Sequence, residues 1–228
     1  NDYHLDDYCK ILNHFNQNIN ILRIGIAGKY VGLQDTYLSL IRAIEHASFN
    51  VGVQVEIVWI DAEKIENKIE EEYAKLKTCD RVIIPGGFGL RGIEGKILVC
   101  KYCRINGIKM LGICLGMQVM VVEYARSLGY ADATSKEWSD SGFHIIDMLP
   151  DQTGKMGGTM RLGNCEAIVI DDTVSQIYNQ DIIIERHRHR YELTYCNGLI
   201  FKDTDMILSA FDKKMSLVEI VRLNNHPY

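Results

Sequence analysis

A chain of 228 residues fits one large domain and is long enough to bury a substantial core. Apolar residues make up 47% and charged residues 24%, an ordinary soluble balance, and the net charge of −5 argues against nucleic acid or an anionic membrane as the main partner. No apolar run approaches the ~20 residues of a bilayer span, and Asn1 to Asp7 has neither the basic start nor the apolar core of a signal peptide. The seven cysteines, at 9, 79, 100, 103, 114, 165 and 196, form an odd, scattered set that suits free thiols in a reducing compartment, hence the cytoplasm. Cys100 and Cys103 form a C-x-x-C, but in a helical pattern that spacing simply shares one face, and no second pair follows.

Residues 1 to 18 carry His4, Leu5, Tyr8, Ile11, Leu12 and Phe15 at helical spacing, which predicts a leading helix over 1–20 ahead of a domain at 21–228. Ile21 to Ala27 reads as a first strand. Gly28 to Gln34 is a loop, and Asp35 is placed to cap a helix through Ser48. Val53 to Ile60 is a second strand, and Ala62 to Lys77 an acidic amphipathic helix with a solvated face. Arg81 to Ile84 is a third strand, Gly92 to Asn106 a third helix, and Met110 to Ile113 a short buried strand leading into the helix Met117 to Ala125. Strands alternating with helices predict an α/β fold with a doubly wound, mostly parallel sheet flanked by helices. Beyond Tyr130 the texture changes. His144–Met148, Cys165–Ile170, Ile182–Tyr191, Leu199–Lys202, Met206–Phe211 and Leu217–Leu223 read as shorter strands, and Val174–Asn179 as a helix. This half is expected to add an antiparallel or mixed β region.

The chain is organised around Gly112-Ile-Cys-Leu-Gly116. A buried strand, a G-x-C-x-G turn and a helix together form a nucleophile elbow with cysteine in the reactive place. Such a turn needs small residues on both sides, and it aims the opening N–H groups of the helix at the sulfur, which favours thiolate. The plainer alternative is a buried cysteine in a strand-to-helix connection. Ligands in open α/β sheets bind outside the carboxyl ends of the strands. A second such end carries Pro85-Gly-Gly-Phe-Gly-Leu-Arg-Gly92, whose backbone can approach a ligand closely. If this loop faces Cys114, the N–H groups of Gly87 and Leu115 could form an oxyanion hole.

A cysteine nucleophile needs a base, and Glu185-Arg-His-Arg-His-Arg-Tyr-Glu192 offers His187 or His189. As a strand, this segment puts Arg186, Arg188 and Arg190 on one face and His187, His189 and Tyr191 on the other. Three arginines on one face suit a carboxylate or a phosphate.

Four stretches occur together and in order: Pro85 to Gly92 with Glu94-Gly-Lys96, Gly112 to Gln118, Gly157-Gly-Thr-Met-Arg-Leu-Gly163, and Glu185 to Glu192. In this combination the chain, from about residue 21 onward, closely resembles the glutaminase (class I, triad-type glutamine amidotransferase) domains of the CTP synthases. Gly25 to Tyr30 and Leu223 to Tyr228 also match that family. The resemblance implies that Cys114 attacks the side-chain amide of L-glutamine to give a thioester and ammonia, with Gly87 and Leu115 as the oxyanion hole. It implies a glutamine site built from Gly87, Phe88, Leu115, Gly116, Met117, Gln118, Glu137 and Arg190, with Glu137 toward the α-ammonium and Arg190 toward the α-carboxylate. Gly157 to Gly163 matches a lid loop connected with activation by GTP.

The same resemblance implies no cofactor or metal in this domain. It implies a separate N-terminal amidoligase (synthetase) domain that uses ATP, UTP and Mg²⁺, a homo-oligomeric full-length enzyme, and no nucleic-acid or membrane partner. The family's catalytic histidine and glutamate sit in an F-H-P-E-type stretch expected shortly after Tyr228, and nothing in residues 1–228 matches it. The family pattern also argues against His187 and His189 as the base. Two other functions fit the elbow. One is a γ-glutamyl hydrolase-like cysteine hydrolase, and the other is a glutamine-binding regulatory domain without turnover.

Overall fold

The computed structural model describes Cys9 and residues 20–29, 31–149 and 160–226. The expected leading helix, apart from Cys9 and Asn20, and Gly157 to Thr159 of the lid loop lie outside the described residues. Four parallel strands form the first sheet: β1 (Ile21–Gly28), β2 (Gln54–Asp61), β3 (Arg81–Ile84) and β4 (Lys109–Gly112), in the order β2-β1-β3-β4. Strand alternation sends Ile24, Ile26 and Ile83 to one face, where they pack on Ile44 of α1 (Leu38–Val51). Val58, Ile60, Val82 and Ile84 point to the other face. Helices on both faces account for the nearly unbroken apolar runs of these strands.

The helices depart from the sequence expectation in two places. Asp35 caps nothing: a 3-10 turn, Gln34–Tyr37, precedes α1, and neither makes a side-chain cap hydrogen bond. The segment 62–77 is two helices, α2 (Ala62–Glu66) and α3 (Glu70–Lys77), separated where Lys68 takes φ +58°. Asp61 is the true cap here, its carboxylate accepting from the N–H groups of Glu63 at 3.0 Å and Lys64 at 3.3 Å. Nor is the acidic face wholly solvated. Glu72 is buried, accepts from the Asp61 N–H at 2.9 Å and pairs with Lys75 at 2.6 Å.

The helix α4 (Ile93–Asn106) lies so close to α2 that a side chain on Gly95 would meet the Ala62 carbonyl at 1.7 Å. The helix α5 (Leu115–Ser127) is buried along most of its circumference, from Leu115 to Ala125. Its acidic member, Glu123, takes both N–H groups of Arg104 at 2.8 Å, which satisfies the charge inside the core.

The second sheet comprises β5 (Ala133–Ser135), β6 (Phe143–Met148), β7 (Arg161–Val169), β8 (Ile182–His189), β9 (Tyr191–Thr194), β10 (Met206–Asp212) and β11 (Leu217–Leu223). Its order is β5-β6-β9-β11-β10-β7-β8, antiparallel except for β5 beside β6. This is the mixed region expected for the C-terminal half, with local differences. The strand β5 carries too short a signal to be read in advance. The run 182–191 breaks at Arg190 into β8 and β9. Leu199 to Lys202 forms a 3-10 turn over Leu199–Phe201 instead of a strand, beside the short helix α7 (Tyr195–Gly198). The expected helix near 174–179 is α6 (Asp172–Tyr178), capped by Asp171 onto the Thr173 N–H at 2.8 Å. Ile145, Ile146, Leu193, Phe211 and Val218 of this sheet share one apolar core with Val82, Ile84 and α5.

Candidate active site at the strand ends

Cys114 sits between β4 and α5 with φ +56° and ψ −108°, a conformation L-residues avoid and the one a nucleophile elbow imposes. The glycines flanking it are required by contact. A side chain on Gly112 would meet the Met120 sulfur at 2.3 Å and the Gly116 carbonyl carbon at 2.5 Å. One on Gly116 would meet the Ile84 carbonyl oxygen at 2.1 Å. Helix α5 is thereby pressed against the end of β3, and Cys114 is displayed at the carboxyl edge of the sheet. Its Sγ lies 3.9 Å from the main-chain oxygen of Arg188. Burial pushes the Cys114 thiol above its ordinary range. The Leu115 N–H and the charge of Lys96 pull it back, while Glu137 and Glu192 push it up. The opening N–H of the helix thus favours the thiolate, as the elbow implies, against a larger opposing effect of burial.

The glycine loop after β3 does face the elbow. A methyl group on Gly86 would stand 3.5 Å from Cys114 Cβ, and one on Gly87 would stand 3.3 Å from Leu115 Cδ2. Gly87 and Leu115, the expected oxyanion pair, are thus neighbours. The loop is held from below and outside. Lys29, following β1, donates to the Phe88 carbonyl, and Arg91 pairs with Glu63 and donates to the Lys29 carbonyl at 3.2 Å. Phe88 itself is exposed, with the Arg188 guanidinium 6.0 Å from its ring centre.

The remaining expected residues gather around these two loops. The Glu137 carboxylate accepts from the Gly89 N–H at 2.8 Å, where Gly89 takes φ +77°. Gln118 is buried on the first turns of α5. Its Nε2 donates to the Tyr191 carbonyl at 2.7 Å, and its Oε1 has no hydrogen-bond partner among the described residues. Gly116 and Met117 form the opening turn of α5. Arg190 occupies the break between β8 and β9, and its Nε is buried without a hydrogen-bond partner among the described residues. Arg190 therefore leaves the face shared by the exposed Arg186 and Arg188 and turns its polar edge inward.

His187 and His189 are engaged elsewhere. They hydrogen-bond each other at 2.8 Å, His189 Nδ1 lies 3.0 Å from Glu192, and His187 Nδ1 lies 3.7 Å from Glu219. Arg161 completes this cluster, reaching Glu192 at 3.2 Å and Glu219 at 2.6 Å. No hydrogen bond joins either histidine to Cys114 among the described residues. Of this cluster, sequence reasoning missed Glu219 and the structural part of Arg161 and Glu192. The strand period put both histidines on one face but could not say which strands would cover it.

The cluster has a pH signature. Burial, with Arg161 and His189 adding to it, pushes His187 down to about 4. The unfolded chain binds that proton near 6.5, so stability is lost as pH falls from 6.5 toward 4. Glu219 is displaced upward, chiefly by burial, and acts in the opposite sense. His187→Asn removes only the first effect. Chemical denaturation at stepped pH should show the parent losing about 2 kcal/mol more than the variant across that interval. Equal losses would mean that His187 titrates normally in the fold.

A parallel sheet bearing a strained cysteine at a strand-to-helix turn, with a glycine loop's N–H groups beside it, defines a cysteine hydrolase of the nucleophile-elbow class. Comparison with known proteins narrows this. The family model described as glutamine amidotransferase class-I matches residues 32–228. The CTP synthase of Methanopyrus kandleri is 40% identical over 229 residues, covering 97% of this chain and 42% of that protein. That of Clostridium beijerinckii is 44% identical over 214 residues, covering 92% of this chain and 40% of that protein. The solved glutaminase domain of Trypanosoma brucei CTPS, with bound acivicin, superposes with a TM-score of 0.81 at 34% identity, covering 89% of this chain and 81% of that one. The chain thus spans about two fifths of the curated relatives it matches. It belongs to the class-I glutamine amidotransferase family, as a glutaminase domain of the CTP synthase type.

Proposed function

We propose that Cys114 releases ammonia from the side-chain amide of L-glutamine through a γ-glutamyl thioester. The observation that carries this reading is the strained Cys114 facing Gly86, with Gly87 packed on Leu115. Sγ adds to the carboxamide carbon, and the C–N bond breaks. The nitrogen takes up the proton that left the thiol and departs as ammonia. Water then cleaves the C–S bond, giving glutamate and restoring the thiol. The N–H groups of Gly87 and Leu115 would receive the carbonyl oxygen as it becomes negative.

Charge complementarity supports the rest of the site. Glu137 suits the α-ammonium group, and Arg190, with its unpartnered buried Nε, suits the α-carboxylate. Phe88, Gly116, Met117 and Gln118 shape the pocket between them. His187 and His189 belong to the supporting cluster. The base is assigned to the family's histidine and glutamate, which this sequence does not match within residues 1–228.

In the whole enzyme the ammonia would pass to an N-terminal synthetase domain that aminates UTP to CTP with ATP and Mg²⁺. GTP would activate the reaction through the lid loop around Gly157 to Gly163. We place this enzyme in the cytoplasm as a homo-oligomer. Cys114→Ala in the full-length enzyme should abolish glutamine-dependent CTP synthesis and leave ammonia-dependent synthesis intact, as followed by CTP formation with each nitrogen source. Glutamine-dependent synthesis surviving the substitution would sink the assignment. Labelling by a glutamine-mimicking electrophile should be blocked by glutamine and not by γ-glutamyl peptides.

A further inference from the structure

Lys96 pulls on the Cys114 thiol, and its own surroundings are anomalous. Its side chain is 0% exposed, and its Nζ has no hydrogen-bond partner among the described residues. A buried ammonium with no counter-ion is costly, and natural folds almost always pair one. Its place in the fold is fixed. Ile93, Lys96, Ile97, Cys100 and Cys103 form the buried stripe of α4, and the contact of Gly95 with Ala62 pins the first turn of that helix. From there the chain of Lys96 runs under the glycine loop, with its Nζ 3.8 Å from where a Gly87 side chain would begin.

We propose that Lys96 is a positioning residue for the Cys114 reaction, its ammonium held unpaired beneath the glycine loop so that its counter-ion is the negative charge appearing at the elbow. That charge resides first on the sulfur and then on the carbonyl oxygen beside Gly87. The inference rests on Cys114 as nucleophile. The groups facing Lys96 are Lys29 from the end of β1, Cys100 from its own helix and Cys114 from the elbow. Those facing Cys114 are Glu137, Glu192 and Lys96. With two carboxylates raising the thiol, Lys96 is the cation among them that acts in the other direction. Burial, then the charge of Lys29, brings Lys96 down to about 8, which leaves it mostly protonated at neutral pH.

The test is alkylation of Cys114 by iodoacetamide from about pH 6 to 10, read by mass spectrometry of the Cys114 peptide, in the parent chain, Lys96→Met and Lys96→Gln. Both variants should slow alkylation near pH 7, where Lys96 still carries its charge in the parent, about tenfold. The curves should converge as pH rises past about 8, where the parent's Lys96 gives up its own proton, and the melting temperature should be equal or higher because an unpaired charge has left the core. An unchanged rate near pH 7 in a reactive parent overturns the role of Lys96 alone. So does a lowered melting temperature with an equally reduced rate at about pH 10, since Lys96 would then merely hold the shape of the site. A parent Cys114 without thiolate-type pH dependence overturns the nucleophile assignment beneath it.

Discussion

Gly116→Ala should cost about 3 kcal/mol of stability or more and abolish glutamine hydrolysis at Cys114. The new methyl group would stand 2.1 Å from the Ile84 carbonyl oxygen and 3.0 Å from its carbon, both of them main chain. No rotamer relieves such a clash. Either α5 backs away from β3, or the end of β3 moves with the glycine loop attached to it. Both movements separate Leu115 from Gly87, so the oxyanion pair is lost along with the packing. Gly32→Ala is the control, because nothing lies within 4 Å of its added methyl and its backbone needs no left-handed conformation. It should change stability by no more than about 0.5 kcal/mol. Thermal melts and ammonia release from glutamine by the two variants in the full-length enzyme would decide the matter, and a native-like melt for Gly116→Ala would show that the elbow tolerates displacement.

Arg161→Met is expected to be nearly as damaging, by a different route. The guanidinium is the positive group between Glu192 and Glu219, both of them nearly buried. Methionine fills a similar volume but leaves the two carboxylates facing each other beside the two histidines. Breaking one side of a buried charge cluster typically costs about 3–5 kcal/mol. Part of that loss should be recovered in mild acid. Burial already displaces Glu219 upward, and without Arg161 it would take up a proton at still higher pH, so the gap from the parent should shrink as pH falls from neutral. A pH-independent gap in urea unfolding would show that Arg161 contributes packing alone.

Sequence patterns were most legible where one physical requirement dominated. The buried strands Ile21–Gly28, Gln54–Asp61 and Arg81–Ile84 announced themselves because both faces needed branched apolar side chains. The elbow did so because its turn admits only glycine at positions 112 and 116. Signals failed where tertiary contact chose between local options. Residues 62–77 keep helical periodicity across Lys68, yet the chain turns there without glycine or proline. The apolar triplet 199–201 suits a strand or a tight turn equally, and packing against the core selected the turn. Arg190 looked like the next member of an alternating row, but the break it occupies turns it away from that row.

At the site the residue types were readable and their partners were not. Cys114 and Arg190 lie in stretches that resemble the family's motifs, and Glu137 at a position the resemblance matches. The sequence does not reveal that Glu137 is tied to the Gly89 N–H, or that Glu219 arrives from β11 to meet Arg161. Lys96 had a local signal, a charged residue in an otherwise apolar helical stripe. Only the fold shows what lies above its ammonium.

The burial of α5 on nearly all sides has a consequence for how this site responds to change. A surface helix can rotate or slide slightly when a neighbour is altered, and a nucleophile at its tip would drift with it. Here Val119, Val121, Val122 and Ala125 have no water-facing side onto which strain can be released, and both sheets close around them. The position of Sγ is therefore registered against the whole interior, and its loop has little say in it. Distant changes of core volume, in either sheet, should be felt at Cys114 as errors of alignment before they are felt as unfolding.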